Sequence, residues 1–437
     1  MSGAYSRVVT VLLAHLPVGF EESYPLALAA IAAPVVADGH VVEGIDLARV
    51  GLDGLSARLA RGDVSVLGMS VWTPAVPDAQ RVMALAREAA SKPLLVTGGP
   101  HATLQPDDVD ADVVVLGEGE ASFAAVVNAQ ATGGGFGEIA GLYLPGTGRT
   151  GHAEPLDLAN VLLPNRRVFA VADYHRDHLP RGRGYASSVT SRGCQYRCSF
   201  CSAPALWGKK HRYRPAESVV EEWRELHVDF GVNGVLVEDD LFTHHKRRVA
   251  ELCEALIRSG SRMTWELLNG IRPETVDQPL LELMARAGCT RLAFSLETAD
   301  KKRLTGMGRS ADLERVAQSV SAAQGTGIGV TGYFMVGLPG ETRAERRETF
   351  QFASRLKLDM AHFSVASAWP GTTWTTTELS TVTAMERSAL YAAWYLHPAR
   401  ALRAAKMLGI RKREVLDMAR RLGRWMTQPL EERRVLK

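Results

Sequence analysis

The feature that most constrains this chain is an alternation that occurs twice along it, in which short apolar runs are each followed by an amphipathic stretch of helical period. In the first 130 residues the runs are VVTVLLAHL, VEGIDL, VSVLGMSV, PLLVTGG and VVVLGEG, separated by patterns such as YPLALAAIAAPVVADGH and PDAQRVMALAREAA. A strand that is apolar throughout has no wet face, so helices must cover both sides of the sheet it joins. An α/β unit with an open, doubly wound parallel sheet follows, and ligands are expected beyond the carboxyl ends of its strands. Those ends read SVWTPA, GGPHAT and GEGEAS, which makes Trp72, Thr73, Gly98, Gly99, His101, Gly117, Glu118 and Gly119 candidate binding residues. Glycines there either let the backbone approach a flat or anionic group closely or make tight turns.

The second series runs YASSVTS, GVLVED, RMTWELLNG, RLAFSLET, IGVTGYFMVG and MAHFSVAS, again with helix patterns between. Six strand-helix units are too few for an eightfold barrel and predict a partial one, its functional face at the carboxyl rim. The pattern divides the chain into 1–135, a Gly- and Pro-rich connection over 136–184 with room for a small hairpin, the barrel over 185–370, and a helical region over 371–437.

Composition excludes several classes. A hydrophobic share of 46% with a formal charge of +3 over 437 residues describes ordinary globular domains, with no basic excess that would call for nucleic acid or a membrane surface. With neither a transmembrane run nor a signal core, a cytoplasmic protein is expected. Five cysteines is an odd number, and Cys253 and Cys289 stand apart as small buried residues, so a disulfide framework is not expected.

The other three form the motif SRGCQYRCSFCSAP, with Cys194, Cys198 and Cys201 just after the first barrel strand. A structural zinc site wants four protein ligands, and only His211 lies near as a fourth. Cys198 and Cys201 have the spacing of a redox pair, but Cys194 has no role in that chemistry. A cubane iron-sulfur cluster held by three thiolates keeps one iron open for substrate chemistry.

These cysteines, with Phe200 before the last of them, resemble the signature of the radical S-adenosylmethionine (SAM) superfamily, and the six-unit barrel agrees. The resemblance implies a [4Fe-4S] cluster whose open iron binds SAM, cleaved by one electron to methionine and a 5'-deoxyadenosyl radical. By order along the barrel, Ser295 and Glu297 resemble the family's contacts to ribose and methionine, and Gly337 lies in the strand resembling its adenine-binding strand. Glu238, Asp239 and Asp240 are candidates for polar contacts or proton transfer, or else a solvated cluster at a helix start. Tyr213 and His211 are candidate proton donors beyond the cluster loop.

The first unit, with YPLALAAIA, GGPHAT and VVVLGEGEASF in that order, resembles the cobalamin-binding domain, a Rossmann-like unit, of cobalamin-dependent members. The Asp-x-His-x-x-Gly loop of many cobalamin proteins is missing: the corresponding stretch reads LLAHLPVGF around His15, and the Asp173–His175 pair lies in the connection without the glycine. Radical SAM methylases commonly dispense with that ligand. The leading expectation is methylation of an unactivated carbon of a small natural-product intermediate. A same-architecture dehydratase, cyclase or epimerase without cobalamin is the second, and a non-catalytic iron-sulfur sensor the third. Expected partners are a small-molecule substrate and an external electron donor such as a flavodoxin or ferredoxin.

Overall fold

The computed structural model describes residues 7–17, 24–174 and 184–408; the tail beyond 408 and the His175 half of the Asp-x-His pair lie outside the described residues. The chain divides into two compact units, the first built on residues up to Asp173 and the second on most of the chain from Tyr174 onward.

The first unit contains β1 (Thr10–His15), α1 (Leu26–Ala37), β2 (Val41–Asp46), α2 (Leu47–Leu59), β3 (Val64–Ser70), α3 (Val76–Glu88), β4 (Leu94–Gly98), α4 (Gly99–Leu104), β5 (Val113–Val115), α5 (Glu120–Thr132), β6 (Leu142–Leu144) and β7 (Gly148–Arg149). Its sheet has the order β2-β1-β3-β4-β5-β6-β7. The first five strands are parallel, and their apolar runs are buried, with Leu12, Leu13, Val66, Leu67, Leu95 and Val96 at most 1% exposed. The chain turns outward from β1 to β2 and comes back to β3, so the winding reverses between β1 and β3, the place where such sheets open a crevice. The β6–β7 hairpin falls inside the expected connection and pairs antiparallel with β5 as the far edge of this sheet. β5 is short and fully buried, and LYL supplies the outer partner its backbone needs.

The second unit holds β8 (Tyr185–Ser188), β9 (Ser191–Arg192), α6 (Ala203–Trp207), β10 (Arg212–Tyr213), α7 (Ala216–Phe230), β11 (Gly234–Val237), α8 (Lys246–Arg258), β12 (Thr264–Ile271), α9 (Gln278–Arg286), β13 (Cys289–Glu297), α10 (Lys301–Gly306), α11 (Leu313–Gly325), β14 (Gly329–Val336), α12 (Arg343–Arg355), β15 (Met360–Val365), α13 (Ala384–Tyr395) and α14 (Pro398–Met407). Its six-stranded sheet runs β15-β14-β13-β12-β11-β8, parallel throughout, with β8 and β15 unjoined: an open, partial (β/α)6 barrel. Helix starts follow the sequence closely: Asp277, Asp300 and Asp312 cap α9, α10 and α11 through their carboxylates, and Thr342 with Glu345 forms a reciprocal capping box on α12. Cys253 and Cys289 are buried in α8 and β13. Among the described residues no helix is long and apolar enough to cross a membrane.

Candidate functional site at the carboxyl rims

The three clustered cysteines sit in a loop whose base is closed by protein alone. β9 and β10 pair antiparallel, Arg192 opposite Arg212 and Ser191 opposite Tyr213, so the loop between them leaves and returns at one place. Gly193 starts it at φ +92°, where a Cβ would lie 2.4 Å from the Lys210 carbonyl oxygen; only glycine fits. Beneath the loop, the acidic run after β11 supplies three separate anchors. Glu238 accepts from the Ser187 hydroxyl at 2.6 Å. Asp239, its side chain fully buried, accepts from the Thr190 amide and hydroxyl at 2.6 Å each and from the Ser191 hydroxyl at 2.5 Å, with Arg248 3.8 Å away. Asp240 accepts from the Gly193 amide, and desolvation, followed by the Asp239 charge, pushes its pKa up to about 6.

Further along, the Ser199 amide donates to the Met307 carbonyl at 3.3 Å, and the Ser199 carbonyl accepts from the Thr373 amide at 3.0 Å. Phe200 packs on Trp374, ring centres 5.7 Å apart, beside Leu304, Met307 and Leu338. The thiols of Cys194, Cys198 and Cys201 lie within electrostatic reach of one another. Burial raises the Cys194 thiol and pushes Cys201 up to about 11, so both stay protonated until a metal displaces the proton. Among the described residues no three His, Cys, Asp or Glu side chains converge on a point that one ion would fill. A cubane takes each thiolate at a different iron, and three soft donors in one loop suit it.

Two arginines that the sequence reading passed over complete this rim. Arg272, one residue past β12, lays its guanidinium 3.7 Å from the centre of the Tyr196 ring and points Nη1 at the Cys198 sulfur, 3.9 Å away. Arg309 donates to the Ser295 carbonyl and faces Glu297 at 3.6 Å. Glu297 ends β13 buried at φ +64°, a left-handed conformation costing a non-glycine residue about 1–2 kcal/mol. Desolvation raises its pKa against the pull of Arg309 and Arg272. Gly270 clears the space beside Ser295: a Cβ there would lie 2.3 Å from the serine hydroxyl. Gly337 follows β14 at φ +81°, its amide donating to Glu341 at 2.6 Å and the Ser380 carbonyl 2.8 Å from where a Cβ would be. A serine, a buried carboxylate and tight glycine backbone on adjacent strand ends suit a ligand with hydroxyl, amino and carboxylate groups, as SAM has.

Tyr213 lies on β10, half exposed, its ring 6.2 Å from His211 and 6.0 Å from His245. Burial, then the nearby His244 and Arg248 charges, pushes His211 down to about 4, so its ring is neutral at pH 7.

In the first unit the strand ends after β3, β4 and β5 hold one another in place. Ser70 and Gly98 are in register, the Val71 amide donates to the Gly98 carbonyl at 2.8 Å, and the His101 amide donates to the Val71 carbonyl at 3.0 Å. His101 is 5% exposed, with its ring nitrogens 3.1 Å from the Thr73 hydroxyl and 3.2 Å from an Asp108 carboxylate oxygen; it braces the loops. Gly99, at φ +89°, has the Ser70 hydroxyl 2.5 Å from where a Cβ would stand. Gly117, at φ +71°, has open space beside it, its amide bonded to the Thr103 hydroxyl at 3.1 Å. Gly119 packs close to Ile31, and Glu118 accepts from the Leu156 amide at 2.7 Å. Trp72 remains 51% exposed. An exposed indole beside bare glycine backbone suits a broad, flat ligand such as cobalamin. His15 ends β1 in register with Asp46, its ring edge-on to Phe169 at 6.5 Å.

Comparison with known proteins bears on the family and the fold. Residues 188–353 match the model of the radical SAM superfamily and residues 18–127 that of the B12 binding domain. The chain is 30% identical over 359 residues, 80% of its length and 77% of the relative's, to the uncharacterized methyltransferase PH0819 of Pyrococcus horikoshii. It is 25% identical to cytidylyl-2-hydroxyethylphosphonate methyltransferase of Streptomyces wedmorensis, over 79% of this chain and 76% of that one. It shares the fold of the radical SAM methyltransferase TsrM of Kitasatospora setae, solved with tryptophan substrate and a SAM analog: TM-score 0.72 at 21% identity, covering 83% of this chain and 74% of TsrM. With both family models matched in one chain and a relative 30% identical across most of its length, the chain belongs to the radical SAM superfamily, in the branch that carries a B12-binding domain.

Proposed function

We propose that this enzyme transfers a methyl group to an unactivated carbon of a small molecule, with SAM as both the radical source and the methyl donor. The observation that carries the reading is the pairing, in one chain, of the Cys194–Cys198–Cys201 loop with a B12-binding unit, in a sequence 30% identical to a methyltransferase across 77% of that relative. When bound, the cluster supplies one electron, SAM the hydrogen-abstracting radical, and cobalamin a methyl carrier for a carbon that cannot attack SAM as a nucleophile. The chain's own part is placement. Ser295, Glu297 and the backbone at Gly270 and Gly337 hold SAM, while Trp72, Gly99 and Gly117 hold cobalamin. The electron comes from an external one-electron donor. TsrM was solved with tryptophan, and the Streptomyces relative is named for a nucleotide-linked phosphonate, so a polar small molecule is the substrate class we favour here.

The test is anaerobic reconstitution with iron, sulfide and cobalamin, followed by dithionite and SAM carrying a deuterated methyl. Expected are 5'-deoxyadenosine in solution and cobalamin retained on the protein, seen in its visible spectrum. Absence of deoxyadenosine overturns the radical reading; release of deoxyadenosine by a protein that does not retain cobalamin overturns methylation.

A further inference from the structure

The geometry assigns Arg272 a role in setting the reduction potential of the cluster; the inference rests on the reading of Cys194, Cys198 and Cys201 as cluster ligands. Arg272 stands at the carboxyl end of β12, and its side chain is 6% exposed, so its charge is weakly screened. Each part of the guanidinium is engaged. Nε donates to Glu274 at 2.7 Å, Nη2 to the Gly308 carbonyl at 3.4 Å, and Nη1 points at the Cys198 sulfur at 3.9 Å. The plane lies 3.7 Å from the centre of the Tyr196 ring. Tyr196 and Cys198 belong to the cysteine loop, while Gly308 lies beyond α10 with its Cα close against the loop: a Cβ there would be 3.1 Å from the Arg197 carbonyl oxygen.

A cluster held by thiolates gains one negative charge when it is reduced. A buried cation beside one of those thiolates favours the reduced form, and net charge and hydrogen bonds to sulfur are the means by which proteins move such potentials. Arginine suits the post because it never loses its proton and can stack on a ring while its fork reaches several acceptors. Glu274 has the opposite influence: 31% exposed and bonded to the same guanidinium, it offsets part of the charge that the sulfur feels. The pair therefore makes two predictions of opposite sign, which a purely mechanical clamp on the loop does not.

The test is a redox titration of the reconstituted cluster by electron paramagnetic resonance, without substrate or SAM, in wild type, Arg272→Gln, Arg272→Lys and Glu274→Gln, with iron content measured for each. At a fixed poise near the wild-type midpoint, Arg272→Gln is expected to lower the ratio of reduced to oxidised cluster about tenfold, equivalent to about 59 mV for a one-electron couple. Arg272→Lys, which keeps the charge, is expected to stay nearer wild type. Glu274→Gln is expected to raise the ratio. Wild-type protein that holds no cluster overturns the ligand assignment itself. Wild type that holds a cluster whose potential is the same in Arg272→Gln, or is not raised in Glu274→Gln, overturns the role of Arg272 alone. If Arg272→Gln fails to take up iron, the Glu274→Gln titration decides.

Discussion

Asp239 gathers three hydrogen bonds from Thr190 and Ser191 and sits 3.8 Å from Arg248, inside protein with no exposed side-chain surface. Replacing it with alanine leaves the Thr190 amide and two hydroxyls without their acceptor and the buried Arg248 guanidinium without its counter-charge, and breaking a buried pair from one side costs about 3–5 kcal/mol. Asp239→Ala is accordingly expected to lower the unfolding free energy by that much and to lower the iron taken up per chain, measured by urea titration and iron assay. Acidic residues after a strand looked alike in sequence as catalysts or as helix-start charges. Their division into a loop tether, a serine partner and a rim carboxylate depends on what lies opposite, which spacing does not encode. The cysteines were readable because cluster ligands from one loop are neighbours along the chain. Arg272 was not, lying 74 positions from the sulfur it faces.

At the scale of elements, the open edge of the barrel is the instructive case. β15 pairs on one side only, and a bare parallel edge offers unpaired amides. Two tyrosines of α13 cover it: the Tyr391 hydroxyl accepts from the Phe363 amide at 3.1 Å, and the Tyr395 hydroxyl accepts from the Ala361 amide at 3.3 Å and donates to its carbonyl at 2.9 Å. Trp394, fully buried against Phe350 and Phe363, fixes the helix there. A Tyr391→Phe, Tyr395→Phe double variant is expected to lose about 1–3 kcal/mol per hydroxyl, by thermal or urea unfolding. Burial pushes the Tyr391 phenol up to about 12 and raises Tyr395 further. The unfolded chain sheds these protons near pH 10 while the native one keeps them, so stability is full below about pH 10 and falls as the pH climbs toward 12. Unfolding midpoints on either side of about pH 10 should show this slope in wild type and a flatter one in the double variant. The six strands and their helices followed from period and run length, whereas the tyrosine edge cover did not: AMERSALYAAWY reads as helix, and which bare edge it serves is a matter of tertiary placement. A small hairpin is expected in the glycine-rich connection, but that β6 pairs with β5 and extends the first sheet is not legible, the hairpin's strands being too short to show alternation.

For the whole molecule, two compact units with separate sheets predict separable cofactor loading. A Cys194→Ala, Cys198→Ala, Cys201→Ala variant is expected to retain cobalamin at the wild-type ratio and to release no deoxyadenosine, read from visible absorbance and chromatography on one sample; loss of both together would show that the two sites do not load independently. The same variant bears on how the enzyme comes into being. The frame around the cysteine loop is closed by the Ser191–Tyr213 ladder, the Asp239 tether, the Thr373 clasp on Ser199 and the Phe200–Trp374 packing, all of them bonds between protein groups. None of these contacts uses a cysteine sulfur, so the triple alanine variant is expected to keep the wild-type circular dichroism spectrum while its iron content falls to background.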